Sequence, residues 1–199
     1  SVLDAGCGDG NKFPIINKLN SKIKFTGFDL NNNLIQTAKK KFNSKNSKFF
    51  TLDINANYNF IKNKKYDLVM AWAFFYSLKN YKELIVKLIK NNCKKYLIFD
   101  LRVSNIKNDI IDTNKSFTFY KDKKKKMIYV ISSLSSFKKY LNKHLKGLIT
   151  DCFITGYSFP PSKHVVLKGK IKPPFVASVI LKKGITKNKI NYDIKLPNI

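Results

Sequence analysis

Three glycines stand at alternate positions directly after the first apolar segment of the chain, in the sequence Val2-Leu3-Asp4-Ala5-Gly6-Cys7-Gly8-Asp9-Gly10. Glycine lets the backbone turn sharply and come close to a ligand, because it has no Cβ. The helix that follows offers free N–H groups and a partial positive charge to an anion such as a carboxylate. An ordinary tight turn does not need three glycines in this arrangement, so the segment predicts a ligand-binding loop.

Two acidic residues follow the next apolar segments. Asp29 ends one such segment, where an acid can accept hydrogen bonds from both hydroxyls of a ribose. Nicotinamide-binding domains place an acid at the same point, so Asp29 predicts a ribose site without identifying the cofactor. Asp53 follows a third apolar segment, and the alternative for this residue is a common turn aspartate.

Alternating strands and helices in the first hundred residues would bring these groups together. Helical spacing of apolar side chains separates the strand-like segments, and the clearest helix begins at a capping box formed by Asn80 and Glu83. This repetition indicates an α/β fold, a doubly wound parallel sheet with helices on both faces. The predicted strands lie at residues 2–5, 23–30, 49–52, 67–75 and 96–101.

The pattern changes after the fifth predicted strand. Two apolar segments within residues 117–131 flank a lysine-rich stretch at 121–126, which predicts a β-hairpin with a solvated turn. A helix with an apolar face from Leu134 to Leu145 follows. Two further strands are predicted near residues 149–157 and 175–181.

The glycine spacing is GxGxG with an acid in the preceding strand, whereas a nicotinamide or flavin fingerprint has the spacing GxGxxG. The segment resembles motif I of class I S-adenosylmethionine (SAM)-dependent methyltransferases, and the order of elements resembles theirs over most of the chain. The resemblance implies a mostly parallel seven-stranded sheet with the last strand antiparallel, plus a hairpin insertion after the fifth strand. Relatives usually have a helical extension before the first strand, and we expect this extension to be missing here.

The resemblance also implies that SAM is the cofactor. The glycine loop and Asp4 would approach it, Asp29 would bind its ribose, and Asp53 with the next apolar residue would contact its adenine. The loop after the fourth strand would lie near its methionine part, although Trp72 in that loop is more often a core residue. The predicted cofactor residues are Asp4, Gly6, Cys7, Gly8, Gly10, Asp29, Leu30, Asp53, Ile54, Ala71 and Trp72.

No residue stands out as a catalytic base, and no cluster of metal ligands is visible. The protein can still be an enzyme without such groups, because SAM carries an activated methyl group and the protein contributes mainly by positioning the reactants. Asp100 and Arg102 are candidates for the acceptor side, the alternative being a surface ion pair of little worth. The hairpin and the loop at residues 157–164 would frame the acceptor pocket, whereas His144 and His164 are more often structural.

The formal charge of +27 suggests a nucleic-acid partner, because basic side chains neutralise phosphates. Arg102 is the only arginine, however, and lysine lacks the planar fork favoured in base and phosphate recognition. The chain also lacks the (D/N)PP(Y/F) signature of methyltransferases that act on nucleic-acid bases or glutamine. We expect a methyltransferase for a small-molecule acceptor, such as a sugar or other metabolite. An RNA methyltransferase, a catalytically silent SAM-binding subunit and a dinucleotide oxidoreductase remain alternatives.

The length and composition of the chain are typical of a single domain. The chain has 199 residues, of which 44% are hydrophobic, and we expect a methyltransferase domain over residues 1–183 followed by a polar tail over residues 184–199. No run of eighteen apolar residues predicts a membrane span. Three widely spaced cysteines favour a reduced, cytoplasmic protein. The oligomeric state and the chemical class of the acceptor atom stay open.

Overall fold

The computed structural model describes residues 1–119, 125–158, 160–185 and 189–197. The chain divides into two compact units, the first formed by Ser1–Trp72 and Lys87–Ile98 and the second by Ala73–Val86 and Phe99–Ile199. Helix α4 (Tyr81–Asn91) and strand β5 (Cys93–Ser104) each contribute residues to both units. Every helix in the described part of the chain is too short or too polar to cross a membrane.

The first unit contains the parallel part of the main sheet. Its strands follow the order β5-β4-β1-β2-β3, and β1 pairs in parallel with both β2 and β4. Parallel strands end at the same edge of a sheet, so the turns after β1, β2, β3 and β4 meet there. The elements up to β4 are β1 (Val2–Ala5), α1 (Lys12–Leu19), β2 (Phe25–Asp29), α2 (Asn32–Lys41), β3 (Ser47–Thr51), α3 (Ile54–Asn57) and β4 (Tyr66–Ala71).

Aromatic side chains pack the core of this unit against the glycine loop. The Phe13 ring lies 5.5 Å from the Phe25 ring and 6.4 Å from the Phe49 ring, centroid to centroid, in edge-to-face contacts. Val2 and Cys7 belong to the same buried cluster. The loop after β1 therefore packs against a buried aromatic cluster. Edge-to-face contacts between the rings add to the stability that burial alone provides.

The second unit contains the antiparallel strand pairs that the structure describes. Strand β11 (Phe175–Lys183) lies between β9 (Ile149–Ser158) and β5, and it is antiparallel to β9. A separate three-stranded sheet has the order β10-β6-β7, with antiparallel pairing throughout. The remaining elements are β6 (Ser116–Phe119), β7 (Lys126–Ile128), β8 (Ser132–Ser133), α5 (Leu134–Leu145), β10 (Val165–Leu167) and β12 (Asn191–Lys195).

The predicted fold class is confirmed, including the antiparallel strand near residues 175–181 and the hairpin after the fifth strand. Most of the lysine-rich turn of that hairpin lies outside the described residues. The strand count differs, because the main sheet has nine strands among the described residues instead of seven. The additional strands are β8, a two-residue strand beside β5, and β12, which pairs in parallel with β9 inside the segment predicted as a polar tail.

Candidate functional site

The glycine loop after β1 has the backbone conformation that its glycines permit. Gly8 and Gly10 have φ angles of 57° and 79°, a region that side chains with a Cβ rarely adopt. A Cβ at Gly10 would lie 2.9 Å from the Phe49 ring, so the core requires glycine there. Apart from its chain neighbours, a Cβ at Gly8 would have no described protein atom within 4 Å. The space next to Gly8 is open, so a ligand can come close to the backbone of this loop.

Cys7 is the buried anchor of this loop. Its backbone N–H donates to the carbonyl of Phe28 at 2.9 Å, which ties the loop to the end of β2. A Cβ on Gly27 would lie 2.8 Å from the Cys7 sulfur, so the thiol fills the space that this glycine leaves. Burial raises the pKa of the Cys7 thiol far above its ordinary range, with smaller contributions from Asp4 and Asp29. We infer a packing role for this side chain.

Asp29 contacts the glycine loop directly. Its half-buried carboxylate accepts the Gly8 N–H on Oδ2 at 3.0 Å and the Asn31 N–H on Oδ1 at 2.9 Å. Each carboxylate oxygen has more than one acceptor position, so both can still accept a hydroxyl. The predicted ribose ligand and the predicted glycine loop thus form one hydrogen-bonded unit.

Asp4 is the most unusual group at this edge of the sheet. The residue is fully buried, its Oδ2 lies 3.1 Å from the Lys12 ammonium, and its Oδ1 has no hydrogen-bond partner among the described residues. Burial raises the pKa of this carboxyl from 3.8 to about 6, and the Lys12 charge opposes the rise. A buried carboxylate oxygen without a partner is costly unless a donor or cation reaches it. The site therefore fits a ligand that carries a positive charge.

Lys12 was not among the predicted site residues. It is the first residue of α1, and it comes close to Asp4 because the glycine loop folds the start of the helix back over the end of β1. A lysine at the start of a helix is unfavourable for the helix dipole, which is the one sequence signal that could have pointed to it.

Asp53 and Ile54 lie at the turn after β3. The Asp53 Oδ1 accepts the N–H groups of Asn55 at 2.9 Å and Ala56 at 3.4 Å, so this residue caps α3. This is the turn role given above as the alternative. Ile54 is 5% exposed, whereas Leu30, after β2, is 68% exposed. Contacts of these residues with an adenine stay a prediction.

Ala71 and Trp72 follow the fourth strand. Ala71 is fully buried, and Trp72 packs partly buried against the cluster that contains Val2, Cys7 and Met70. The packing of Trp72 matches the core role that sequence reasoning allowed for it. The assignment of both residues to the cofactor stays a prediction.

Asp100 and Arg102, in the second unit, form a buried ion pair. Arg102 Nη1 donates to Asp100 Oδ2 at 2.5 Å, and the two side chains are only 14% and 7% exposed. The alternative of a surface ion pair is therefore wrong. The other Asp100 oxygen accepts the N–H of Ala73, a residue with a φ of 54°.

The two histidines differ in their surroundings. His144 lies beside Tyr140, with ring centroids 4.3 Å apart. His164 is exposed, and its carbonyl accepts the Phe119 N–H at 3.2 Å, which connects the loop at 157–164 with the hairpin. The described residues contain no group of three potential metal ligands.

A family model described as a methyltransferase domain matches residues 1–170. The chain belongs to this family. Membership confirms the resemblance to SAM-dependent methyltransferases, and with it the expected enzyme class and the cofactor, S-adenosylmethionine. No curated protein matches the chain.

Solved structures of other methyltransferases share the fold of this methyltransferase domain. The O-methyltransferase from the trans-AT PKS multienzyme of Brevibacillus brevis, in complex with S-adenosyl-L-homocysteine, is 16% identical with a TM-score of 0.65; the match covers 92% of this chain and 66% of that one. A protein from Listeria monocytogenes, named as an S-adenosylmethionine-dependent methyltransferase, is 16% identical with a TM-score of 0.59 and coverages of 92% and 90%. The N-terminal domain of EvdMO1, crystallised with SAH and D-fucose, is 10% identical with a TM-score of 0.63 and coverages of 92% and 76%.

Proposed function

We propose that this protein transfers a methyl group from SAM to a small-molecule acceptor. One observation carries the proposal: the Gly8 N–H donates to Asp29 Oδ2 at 3.0 Å, while a Cβ at Gly8 would meet no described atom within 4 Å apart from its chain neighbours. The Asp29 carboxylate, which can accept hydrogen bonds from ribose hydroxyls, is therefore bonded to a glycine turn that a ligand can approach closely.

The chain's own residues would bind each part of the cofactor. Asp29 would accept from the ribose hydroxyls, and the partnerless Oδ1 of Asp4 would accept from the α-ammonium group. Asp53 would contact the adenine from the turn after β3, in addition to capping α3. The residues assigned to apolar or backbone contacts are Gly6, Cys7, Gly10, Leu30, Ile54, Ala71 and Trp72.

Bound SAM would supply a methyl group activated by its sulfonium; the acceptor would take that methyl group and lose a proton, and S-adenosylhomocysteine would be the second product. The protein has to hold the two reactants in line and exclude water, and such positioning accounts for a large share of the rate enhancement. No protein nucleophile is required.

Three observations support a small acceptor. The Brevibacillus neighbour is an O-methyltransferase, and the EvdMO1 domain was crystallised with a sugar. The segment after β4 lacks the signature typical of nucleic-acid base methylation. The cationic surface is almost entirely lysine, which contacts phosphate as a point charge and gives little base specificity.

Calorimetry with four ligands tests the proposal. We expect micromolar binding of SAM and S-adenosylhomocysteine to the wild-type chain and no comparable binding of NAD or NADP. Tighter binding of a nicotinamide cofactor would contradict the proposal, because the loop would then serve a dinucleotide.

Two glycine variants locate the binding site. Gly8→Ala and Gly169→Ala place a Cβ on a left-handed residue with open space around it, since φ is 57° at Gly8 and 72° at Gly169. Both should lower the free energy of unfolding by about 1–2 kcal/mol. Only Gly8→Ala should also weaken SAM binding, because its Cβ would occupy space that the cofactor approaches. Equal SAM affinity in the two variants would place the cofactor elsewhere.

A further inference from the structure

The second unit contains a cavity of about 170 Å³ that the cofactor residues do not line. Its walls come from the segment after β4, strands β5, β6 and β11, the residue after β7 and the loop before β10. The residues concerned are, in that order, Tyr76, Arg102, Thr118, Val176, Tyr129 and Ser162. Two of these walls are joined by the antiparallel pairing of β6 with β10, in which Thr118 faces Val165. The cavity is open on one side and has room for a molecule of about one ring.

Arg102 lines this cavity, where its guanidinium lies over the ring of Tyr76 and contacts Tyr129. Its guanidinium carbon is 4.8 Å from the centroid of the Tyr76 ring, and Arg102 also contacts the Tyr129 hydroxyl. The Tyr76 and Tyr129 rings are 5.6 Å apart, centroid to centroid. Stacking on an aromatic face fixes the plane of the guanidinium, so its donors are held in one orientation.

Asp100 holds Arg102 in place. Both of its oxygens are occupied, one by the Ala73 N–H and the other by Arg102 Nη1. A guanidinium has five N–H donors, so the contacts with Asp100 and with the Tyr129 hydroxyl leave further donors for a ligand. The ion pair therefore orients Arg102, whose side chain is 14% exposed.

Five of the described side chains that line the cavity can donate hydrogen bonds. Burial raises the pKa of both Tyr76 and Tyr129, the Arg102 charge opposing the rise, so both phenols keep their protons at neutral pH. Thr118 and Ser162 contribute hydroxyls. None of the described residues that line the cavity is acidic. An anion would satisfy these donors, whereas a cation would meet Arg102.

The type of basic residue in the cavity restricts the chemical class of the ligand further. The chain has 39 lysine and arginine residues, and its single arginine is the only one of them among the described residues that line this cavity. A guanidinium matches a carboxylate with two parallel N–H···O bonds, while an ammonium offers only a point charge.

We infer that this cavity binds a carboxylate of the methyl acceptor and that Arg102 selects for it, so that the substrates of the proposed methyl transfer are small organic acids. The inference rests on the proposed function, because it names the class of acceptor for that reaction. Arg102 is a specificity residue here, Asp100 positions it, and Tyr129 adds a second donor to the bound anion.

A matched pair of small molecules tests this inference. 4-Hydroxybenzoate and 4-hydroxybenzyl alcohol have the same ring and differ in the carboxylate, and each is titrated into the full chain saturated with S-adenosylhomocysteine. We expect the acid to bind at least about tenfold more tightly than the alcohol, because charge-assisted bidentate bonds are strong. Equal binding of the two molecules to the wild-type chain would overturn the inference. Phenyl phosphate is a third probe, and if it binds more tightly than the acid, the site takes phosphate esters and the inference is wrong.

Three variants distinguish the cavity from general surface charge. Arg102→Lys keeps the positive charge beside Asp100 but removes the fork, so acid binding should fall about tenfold while alcohol binding stays unchanged. Tyr129→Phe keeps the ring and removes one hydroxyl, and it should weaken acid binding severalfold. Lys168→Gln removes an exposed charge that does not line the cavity, and it should have no effect. Unchanged acid affinity in both cavity variants would overturn the inference.

The affinity for S-adenosylhomocysteine separates this inference from the proposed function. All three variants should bind it as the wild type does. If the wild-type chain binds the acid selectively through Arg102 but does not bind S-adenosylhomocysteine, the carboxylate site stands and the proposed function fails.

Discussion

Asp4→Asn is expected to stabilise the fold near neutral pH and to weaken SAM binding at the same time. The wild-type residue is fully buried, and its Oδ1 has no partner among the described residues. Asparagine has nearly the same shape but no charge, so the penalty of burying a carboxylate disappears. Lys12, which loses its partner, is partly exposed and can be solvated by water.

The pKa of Asp4 gives the size of the effect. It is raised from 3.8 to about 6, a difference of about two units, and one unit corresponds to about 1.4 kcal/mol. The folded state therefore binds more protons than the unfolded state between these two values, and wild-type stability falls by roughly 3 kcal/mol as pH rises through this window. An asparagine N–H without a partner costs about 1–3 kcal/mol. Above pH 6 the net gain of the variant should be about 0–2 kcal/mol.

Urea unfolding of both proteins between pH 4 and pH 8 measures this, with SAM calorimetry at pH 7.5. The stability of the variant relative to wild type should increase as pH rises from 4 to about 6, and its SAM affinity should be at least about tenfold lower, since a charge-assisted hydrogen bond is lost. Asp9→Asn is the matched control. Asp9 lies in the same loop, where it pairs with Lys41 at 2.7 Å, and the hydrogen bond from Lys41 lowers its pKa.

The control variant should therefore show no gain in stability above pH 6. A stability difference between Asp4→Asn and wild type that does not change with pH would refute the assignment of the buried charge. An unchanged SAM affinity would refute the role of Asp4 toward the cofactor.

Three further predictions concern the cofactor, the lysines and the core. Asp29→Ala removes the acceptor for the Gly8 and Asn31 N–H groups, and each of these bonds is worth about 1.5–3 kcal/mol. Both the SAM affinity and the melting temperature should therefore fall. An unchanged SAM Kd in calorimetry would contradict this prediction. Binding to tRNA should decrease steeply with salt in filter-binding assays and show no sequence preference, and labelled methyl transfer into one RNA position would contradict this. Phe99→Ala should lower the free energy of unfolding by about 3–5 kcal/mol, as urea titration would show, because Phe99 is fully buried against Phe75 and Phe137.

The meeting of the glycine loop with Asp29 was predictable, because parallel strands bring the turns at their carboxyl ends together. The contact between Gly8 and Asp29 follows from the pairing of β1 with β2, which sequence periodicity indicates. The contact between Lys12 and Asp4 does not follow from any pattern, because it depends on how far the glycine loop bends.

Other differences have local physical causes. The fourth strand was predicted to reach residue 75 but ends at Ala71, because Ala73 adopts a positive φ that the Asp100 carboxylate stabilises. Strand β12 was missed because its five residues are exposed or half-buried in alternation, as in a polar segment. The burial of Arg102 depends on the hairpin and on the loop before β10, two elements distant in sequence from β5.

The buried Cys7 thiol can be used to measure local opening of the glycine loop. Alkylating reagents attack the thiolate, and the raised pKa of Cys7 leaves almost none of it while the loop is closed. Alkylation then proceeds only through brief excursions in which Cys7 leaves its place beside Gly27. The modification rate of this one side chain, followed by mass spectrometry of the peptide that contains it, thus measures how often the loop opens. Any ligand that closes over the loop slows that rate without itself touching the sulfur.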